Sequence, residues 1–247
     1  MEAAKTYPKL KKAPKYRFVA FILMTLVYIL TYAGLQVFNS AGTQIMNDFG
    51  IRESFLSVLS SCGLATMAVC SLIVFPALSK KIGDKPACLV GLIVIVASGL
   101  LYLVIPSSLA ALVFVRLLQG AGMGIINPAS MGMEAVWFPV KERSLSAGIM
   151  SACYGLSCTL VTQYTYYTGL AQWSVGKACG VMLTAFGAAM FLLVLFVYKD
   201  IKKKYGVSII DEAIEGYVPQ DAMTDEQRTQ WAKGDRFKFC VNSKKLI

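Results

Sequence analysis

Histidine is absent from this chain, and aspartate and glutamate together number only 14 in 247 residues. Without histidine there is no imidazole to relay protons near neutral pH or to complete a zinc site beside cysteine. The seven cysteines form no Cys-x-x-Cys pair. Six of them, Cys62, Cys70, Cys88, Cys153, Cys158 and Cys179, lie in apolar runs, and Cys240 lies in a polar C-terminal stretch, so they read as small packing residues. No nucleophile–base pair or acidic cluster occurs in the apolar runs, which leaves an intramembrane enzyme without machinery. The composition implies neither a metal nor a cofactor.

Apolar residues fill the space that charge leaves: 56% of the chain is hydrophobic against 15% charged, and mean hydropathy is +0.59. Soluble domains hold roughly 45–50% apolar and 25% charged residues, so the composition predicts a protein embedded in a bilayer. A helix crosses the ~30 Å hydrocarbon core in roughly 20 residues. Six runs are long enough, at 18–40, 55–79, 86–105, 109–137, 145–169 and 177–198. The first follows a basic flank, as a signal peptide would, but its apolar stretch outruns a signal core of roughly 7–15 residues and reads as a retained span. The predicted fold is all-α and polytopic, organised as a basic arm (1–17), a six-helix transmembrane domain (18–198) and a linker or tail (199–247). In the tail, 208–217 and 224–233 have the pattern of short amphipathic helices.

Lysine and arginine gather in the N-terminal arm, the "KKIGDK" loop, the "VKERS" loop and the "YKDIKKKYG" exit, whereas the alternate connections offer only Arg52 and Lys177. The positive-inside bias then puts both termini in the cytoplasm. The net charge of +10 is this asymmetry summed, so orientation accounts for it without nucleic acid.

The fourth run, "VRLLQGAGMGIINPASMGMEAVWFP", breaks the apolar rule. On an ideal helix Arg116, Asn127 and Glu134 fall within about 20° of one line. Arg116 sits roughly 10 Å deep, where charges usually face a bundle interior or an aqueous cavity. It reads equally as an interhelical anchor or as a contact for an anionic substrate. Glu134, near the cytoplasmic rim, reads as a partner for Lys80, Lys81 or Arg143, or as a coupling group. Gly120 and Gly124, four apart, permit close approach of a neighbouring helix, and Pro128 predicts a bend. Tyr28, Tyr32 and Asn39 share a side of the first span with Gln36 adjacent, and with Tyr154 of the fifth they are candidates for a cavity lining.

"RLLQGAGMGIINPAS" resembles the fourth-helix arginine and glycine motif of the major facilitator superfamily, and "WFPVKERSLSAGIMSACYGLS" resembles the loop and fifth helix that follow it. "PALSKKIGDK" occupies the place of the family signature Gly-x-x-x-Asp-Arg-x-Gly-Arg-Lys: Gly83 and Lys85 match, Lys81 substitutes for arginine, and Pro76, Lys80 and Asp84 depart. The resemblance implies a secondary transporter of two six-helix halves, each of two inverted three-helix repeats. The chain would then be one half, its second half either missing from this chain or supplied by another. The resemblance implies alternating access, with Lys81, Gly83, Lys85 and Glu134 in gating or coupling and Arg116, Tyr28, Tyr32, Asn39, Asn127 and Tyr154 toward a small-molecule substrate. A cationic arginine among few acids favours a small organic anion, as in the oxalate/formate branch, in a bacterial plasma membrane. The alternative is a non-transporting six-helix membrane protein acting as assembly partner or sensor.

Overall fold

A computed structural model describes residue 10, residues 13–104 and residues 109–214. These residues form helices α1 (Tyr16–Ser40), α2 (Gly42–Phe49), α3 (Glu53–Val69), α4 (Phe75–Ile82), α5 (Asp84–Val104), α6 (Leu109–Ala135), α7 (Val140–Leu170), α8 (Val175–Phe196) and α9 (Ile201–Tyr205). Helix is the form a single apolar segment can adopt in hydrocarbon, because it satisfies its own backbone hydrogen bonds. Six helical stretches are long and apolar enough to cross a membrane, with α3 and α4 acting as one span, Glu53–Ile82. Each overlaps one of the apolar runs.

The second span carries an irregularity that the apolar pattern does not announce. Between α3 and α4 the residues Cys70–Val74 form a π-helical stretch, and the amide of Phe75 bonds the carbonyl of Cys70. Pro76 follows immediately. Its ring would crowd the carbonyl four residues back and it has no N–H to give, so a widened turn relieves the clash. At Pro128, by contrast, α6 runs on as one helix to Ala135. The amphipathic α2 was not foreseen, being short and only partly apolar. Its Ile45 is fully buried, and Gln44 Nε2 donates to the Trp173 carbonyl between α7 and α8 (2.8 Å).

Six helix pairings build the bundle: α1 with α6, α7 and α8, α3 with α6, and α5 with α6 and α8. Exchanging the first three spans for the last three maps this set onto itself: α1–α7 becomes α6–α3, α5–α6 becomes α8–α1, and α1–α6 and α5–α8 are unchanged. That is the relation expected of paired three-helix repeats. The symmetry puts α1 and α6 at the centre, where 67% and 56% of their most apolar windows are buried, against 17% for the second span and 22% for the fifth. At the α6–α3 contact, a Cβ on Gly120 or Gly124 would run into the backbone carbonyl of Gly63 or Met67.

The chain after the sixth span folds back under the bundle. Ile201 and Ile210 are buried, the Ile210 amide donates to the Val136 carbonyl (3.0 Å), and the Leu10 amide donates to the Ala213 carbonyl (2.7 Å). Within 208–217, the described residues form a 3₁₀ turn, Ile210–Ala213, followed by extended Ile214. The segment 224–233 lies outside the described residues.

Candidate functional site

Arg116 is 1% exposed. Its Nη1 donates to Gln119 Oε1 (2.8 Å), and Gln119 Nε2 donates to the Gly34 carbonyl (2.9 Å), so the pair ties α6 to α1. The Phe38 ring lies 4.4 Å from Arg116 Cζ, a desolvated cation–π contact of the kind worth about 2 kcal/mol. Gly63 makes room on the remaining side, since a Cβ there would lie 2.8 Å from Arg116 Nε. Among the described residues no carboxylate reaches ion-pair distance of Arg116, and its Nε and Nη2 have no hydrogen-bond partner. A buried guanidinium is thus positioned by neutral groups and left electrostatically uncompensated.

A second polar feature runs along α1. The Tyr28 and Tyr32 rings are 4.7 Å apart, and Tyr32 packs edge-on against Tyr154 of α7 at 5.0 Å. Gln36 Nε2 lies 3.3 Å from Tyr154 Oη and 3.0 Å from Cys158 Sγ. Asn39 Nδ2 donates to Gln36 Oε1 (3.2 Å), and Ser60 Oγ of α3 donates to Asn39 Oδ1 (3.0 Å). The result is a continuous strip across three helices, buried at Tyr28 and exposed at Asn39 and Tyr154. It offers aromatic faces and neutral donors and acceptors.

The two features lie on different sides of α1. At 100° per residue the strip positions 28, 32, 36 and 39 centre roughly 135° from positions 34 and 38, which meet Gln119 and Arg116. Tyr28, Tyr32, Asn39 and Tyr154 are therefore brought together, and Arg116 is packed behind them. Asn127 is half-buried, and its Oδ1 has no partner among the described residues. Gln119, Gly34, Phe38, Gln36, Cys158 and Ser60 complete the arrangement. Of these, Gln119 and Gln36 had a signal, as amides within apolar runs.

Glu134 is 1% exposed. Among the described residues no cation stands within ion-pair distance of it, and Oε1 is unpartnered. Arg143, one of its expected partners, instead donates Nε to the carbonyls of Ala135 (2.8 Å) and Phe138 (3.0 Å) and Nη2 to Asp211 (3.3 Å). Ala135 ends α6 and Phe138 lies in the turn after it, so the guanidinium sits at a helix C-terminus, a favoured place for a cation. Asp211 also accepts from the Val140 amide (3.1 Å), capping the N-terminus of α7 from a distant part of the chain.

Around this contact the ends of the bundle are clasped. Tyr16 Oη donates to the Val197 carbonyl (2.7 Å) and accepts from the Lys199 amide (2.7 Å). Lys204 Nζ lies 5.2, 5.9 and 5.1 Å from the rings of Tyr16, Trp137 and Tyr205. Lys85 Nζ donates to the carbonyls of Leu195 (3.0 Å) and Tyr198 (2.6 Å), closing the C-terminal end of α8. Lys81 is exposed, and Gly83 makes the turn into α5 with φ at +89°, a conformation that disfavours other residues. Asp84 accepts from Ser79 across that turn. Among the described residues, no cluster of three or more Cys, Asp or Glu side chains could hold a metal ion.

The sequence matches no curated protein. Among solved structures, the fold is similar to that of the proton:xylose symporter XylE bound to 6-bromo-6-deoxy-D-glucose, with a TM-score of 0.66 and 14% sequence identity. That match covers 94% of this chain but 55% of the symporter's, so the chain spans about half the length of its structural relative. The profile of the Major Facilitator Superfamily matches residues 24–234. That match takes in most of the first span, all of the other five and both polar features, and it identifies the chain as an integral membrane protein belonging to the major facilitator superfamily.

Proposed function

We propose that this chain is one half of a secondary transporter that carries a small organic anion by alternating access. The observation that carries the anion reading is the uncompensated guanidinium of Arg116, with Nε and Nη2 unpartnered among the described residues. In a medium of low dielectric such a group attracts one anion strongly, and its planar fork suits a carboxylate. The arginine becomes reachable when α1 and α3 draw away from α6 at Gly34 and Gly63, the glycines that pack against Gln119 and Arg116. The unit rocks against a second six-helix half. The strip of Tyr32, Gln36, Asn39 and Tyr154 lines the pathway, Asn127 adds an acceptor, and Glu134, Lys81, Gly83 and Lys85 act in coupling or gating at the basic end.

The strip itself favours a second reading. Its neutral donors and acceptors beside tyrosine rings suit a hydroxylated, uncharged solute. Ligand-induced thermal stabilisation separates the two, measured on the assembly of both halves with mono- and dicarboxylates and with sugars and polyols. Under the anion reading the best carboxylate stabilises wild type, stabilises Arg116→Lys less, and leaves Arg116→Gln unchanged. Equal stabilisation of wild type and Arg116→Gln by that carboxylate rejects the role of Arg116. Stabilisation by polyols alone, abolished in Asn39→Ala, selects the neutral solute.

A further inference from the structure

Lysines outnumber carboxylates on one edge of the basic end. Lys80 and Lys81 close α4, and Lys202 and Lys203 lie on α9; all four are exposed, and none has an ion pair among the described residues. The Lys85 bonds to the end of α8 bring the α4–α5 turn beside the start of the segment that holds α9. The acids nearby are fewer and are held in other contacts or buried, so Asp84, Asp200 and Glu212 reduce the positive surplus without cancelling it. Glu142 pairs with Arg17 (2.7 Å), Asp211 with Arg143, and Asp84 accepts from Ser79. Asp200 caps α9 through the Lys202 amide (3.0 Å), Glu212 accepts from the Ser208 amide (2.9 Å), and Glu134 is buried.

The height of these lysines is set independently by apolar exposure. Leu72, Ile73 and Val74, which precede Lys80 and Lys81 in the second span, are 78%, 66% and 39% exposed, and Phe196 and Val197, just before the segment of Lys199, Lys202 and Lys203, are 76% and 37% exposed. Side chains of that kind belong in hydrocarbon, so the lysines that follow them toward the basic end stand at the level of lipid headgroups. Orientation bias accounts for lysines at this end, but not for two pairs without ion-pair partners among the described residues on segments that the Lys85 bonds bring together above exposed apolar side chains.

We infer that Lys80, Lys81, Lys202 and Lys203 form a docking surface for the headgroups of anionic phospholipids. Long ammonium side chains at that level hold phosphates as mobile point charges, so the surface selects net negative charge rather than one headgroup shape. Lys199 and Lys204 are drawn to aromatic rings instead, at 5.8 Å from Tyr16 and 5.1 Å from Tyr205. The inference depends on the membrane placement and is independent of the transported solute.

The test uses the full chain in a neutral detergent with short-chain phosphatidylglycerol or phosphatidylcholine, reading lipid retention by native mass spectrometry and the thermal midpoint in parallel. Wild type is expected to retain phosphatidylglycerol about tenfold more tightly than phosphatidylcholine, and each Lys→Gln change to weaken that preference by up to about fivefold. Lys80→Gln/Lys81→Gln and Lys202→Gln/Lys203→Gln are made as separate pairs, so that a folding defect in the quadruple variant leaves the comparison intact. The Lys→Arg versions are expected to keep the preference, as is Lys177→Gln, which removes a lysine next to Trp173 on the α7–α8 connection. Retention of phosphatidylglycerol at wild-type strength by both Gln pairs overturns the inference and leaves a solvated face. Equal retention of the two lipids by wild type does the same. Displacement of the lipid by equimolar inorganic phosphate would show a site for free anions instead and overturn the lipid assignment.

Discussion

At the scale of single residues, the neutral bridge from Arg116 through Gln119 to the Gly34 carbonyl decides how much of the arginine's role is structural. Gln119→Leu would leave Arg116 Nη1 without its partner and remove the tie to Gly34, at about 1–3 kcal/mol. Its thermal midpoint should fall in detergent without any ligand present. Gln119→Glu keeps an acceptor for Arg116 and adds a neutralising charge but loses the donor to Gly34. It should therefore weaken carboxylate stabilisation more than it lowers the midpoint, and the reverse order would make Arg116 chiefly an anchor. Arg116, Glu134, Asn39 and the tyrosines were legible in the sequence because a polar atom in an apolar run stands out. Gly34, Phe38 and Gly63 were not, since a backbone carbonyl, a phenyl ring and a missing side chain look the same wherever they occur in a span.

At the scale of elements, close approach and capping fix how helices meet. Gly120 and Gly124 lie against the backbone of α3, so Gly120→Leu or Gly124→Leu should force α6 away from α3. Both should lower the yield of monodisperse protein, as judged by size-exclusion chromatography, whereas Gly132→Leu, where a Cβ would meet nothing within 4 Å, should leave it unchanged. The Asp211 contact makes a different claim. Asp211→Asn removes the charge that faces the α7 N-terminus and Arg143, an arrangement of the kind worth about 1–3 kcal/mol, and should expose the 198–214 segment to limited proteolysis. Undiminished resistance to protease would mean that Ile201, Ile210 and the lysine–aromatic contacts hold the segment without it. Span positions were legible because hydrophobic length is a one-dimensional signal. The π-helical stretch before Pro76 and the cap donated by Asp211 depend on three-dimensional register, and a charged tail carries no mark of which helix end it meets.

For the whole molecule, six successive spans put their ends alternately on opposite faces, and the charge bias predicts which face is which. The basic end gathers Arg17, Lys80, Lys81, Lys85, Arg143, Lys199 and the lysines of α9, whereas Lys177 is held over Trp173 (4.6 Å) on the connection of the opposite face. The charge bias predicts that the basic end faces the cytoplasm. Cysteines introduced at Ser144 and, separately, at Lys177 test this in a background whose own cysteines are replaced by serine. Ser144 is exposed at the start of α7 and Lys177 is exposed near the start of α8, so the two sites sit at opposite ends of the bundle. A membrane-impermeant maleimide applied to intact cells should label the cysteine at 177 and reach the one at 144 only after permeabilisation. The opposite pattern would invert the assignment and take the lysine edge out of the cytoplasmic leaflet. Labelling of both in intact cells would mean that a span counted from hydropathy does not cross, and the pairing symmetry would then have to be read within a smaller transmembrane unit.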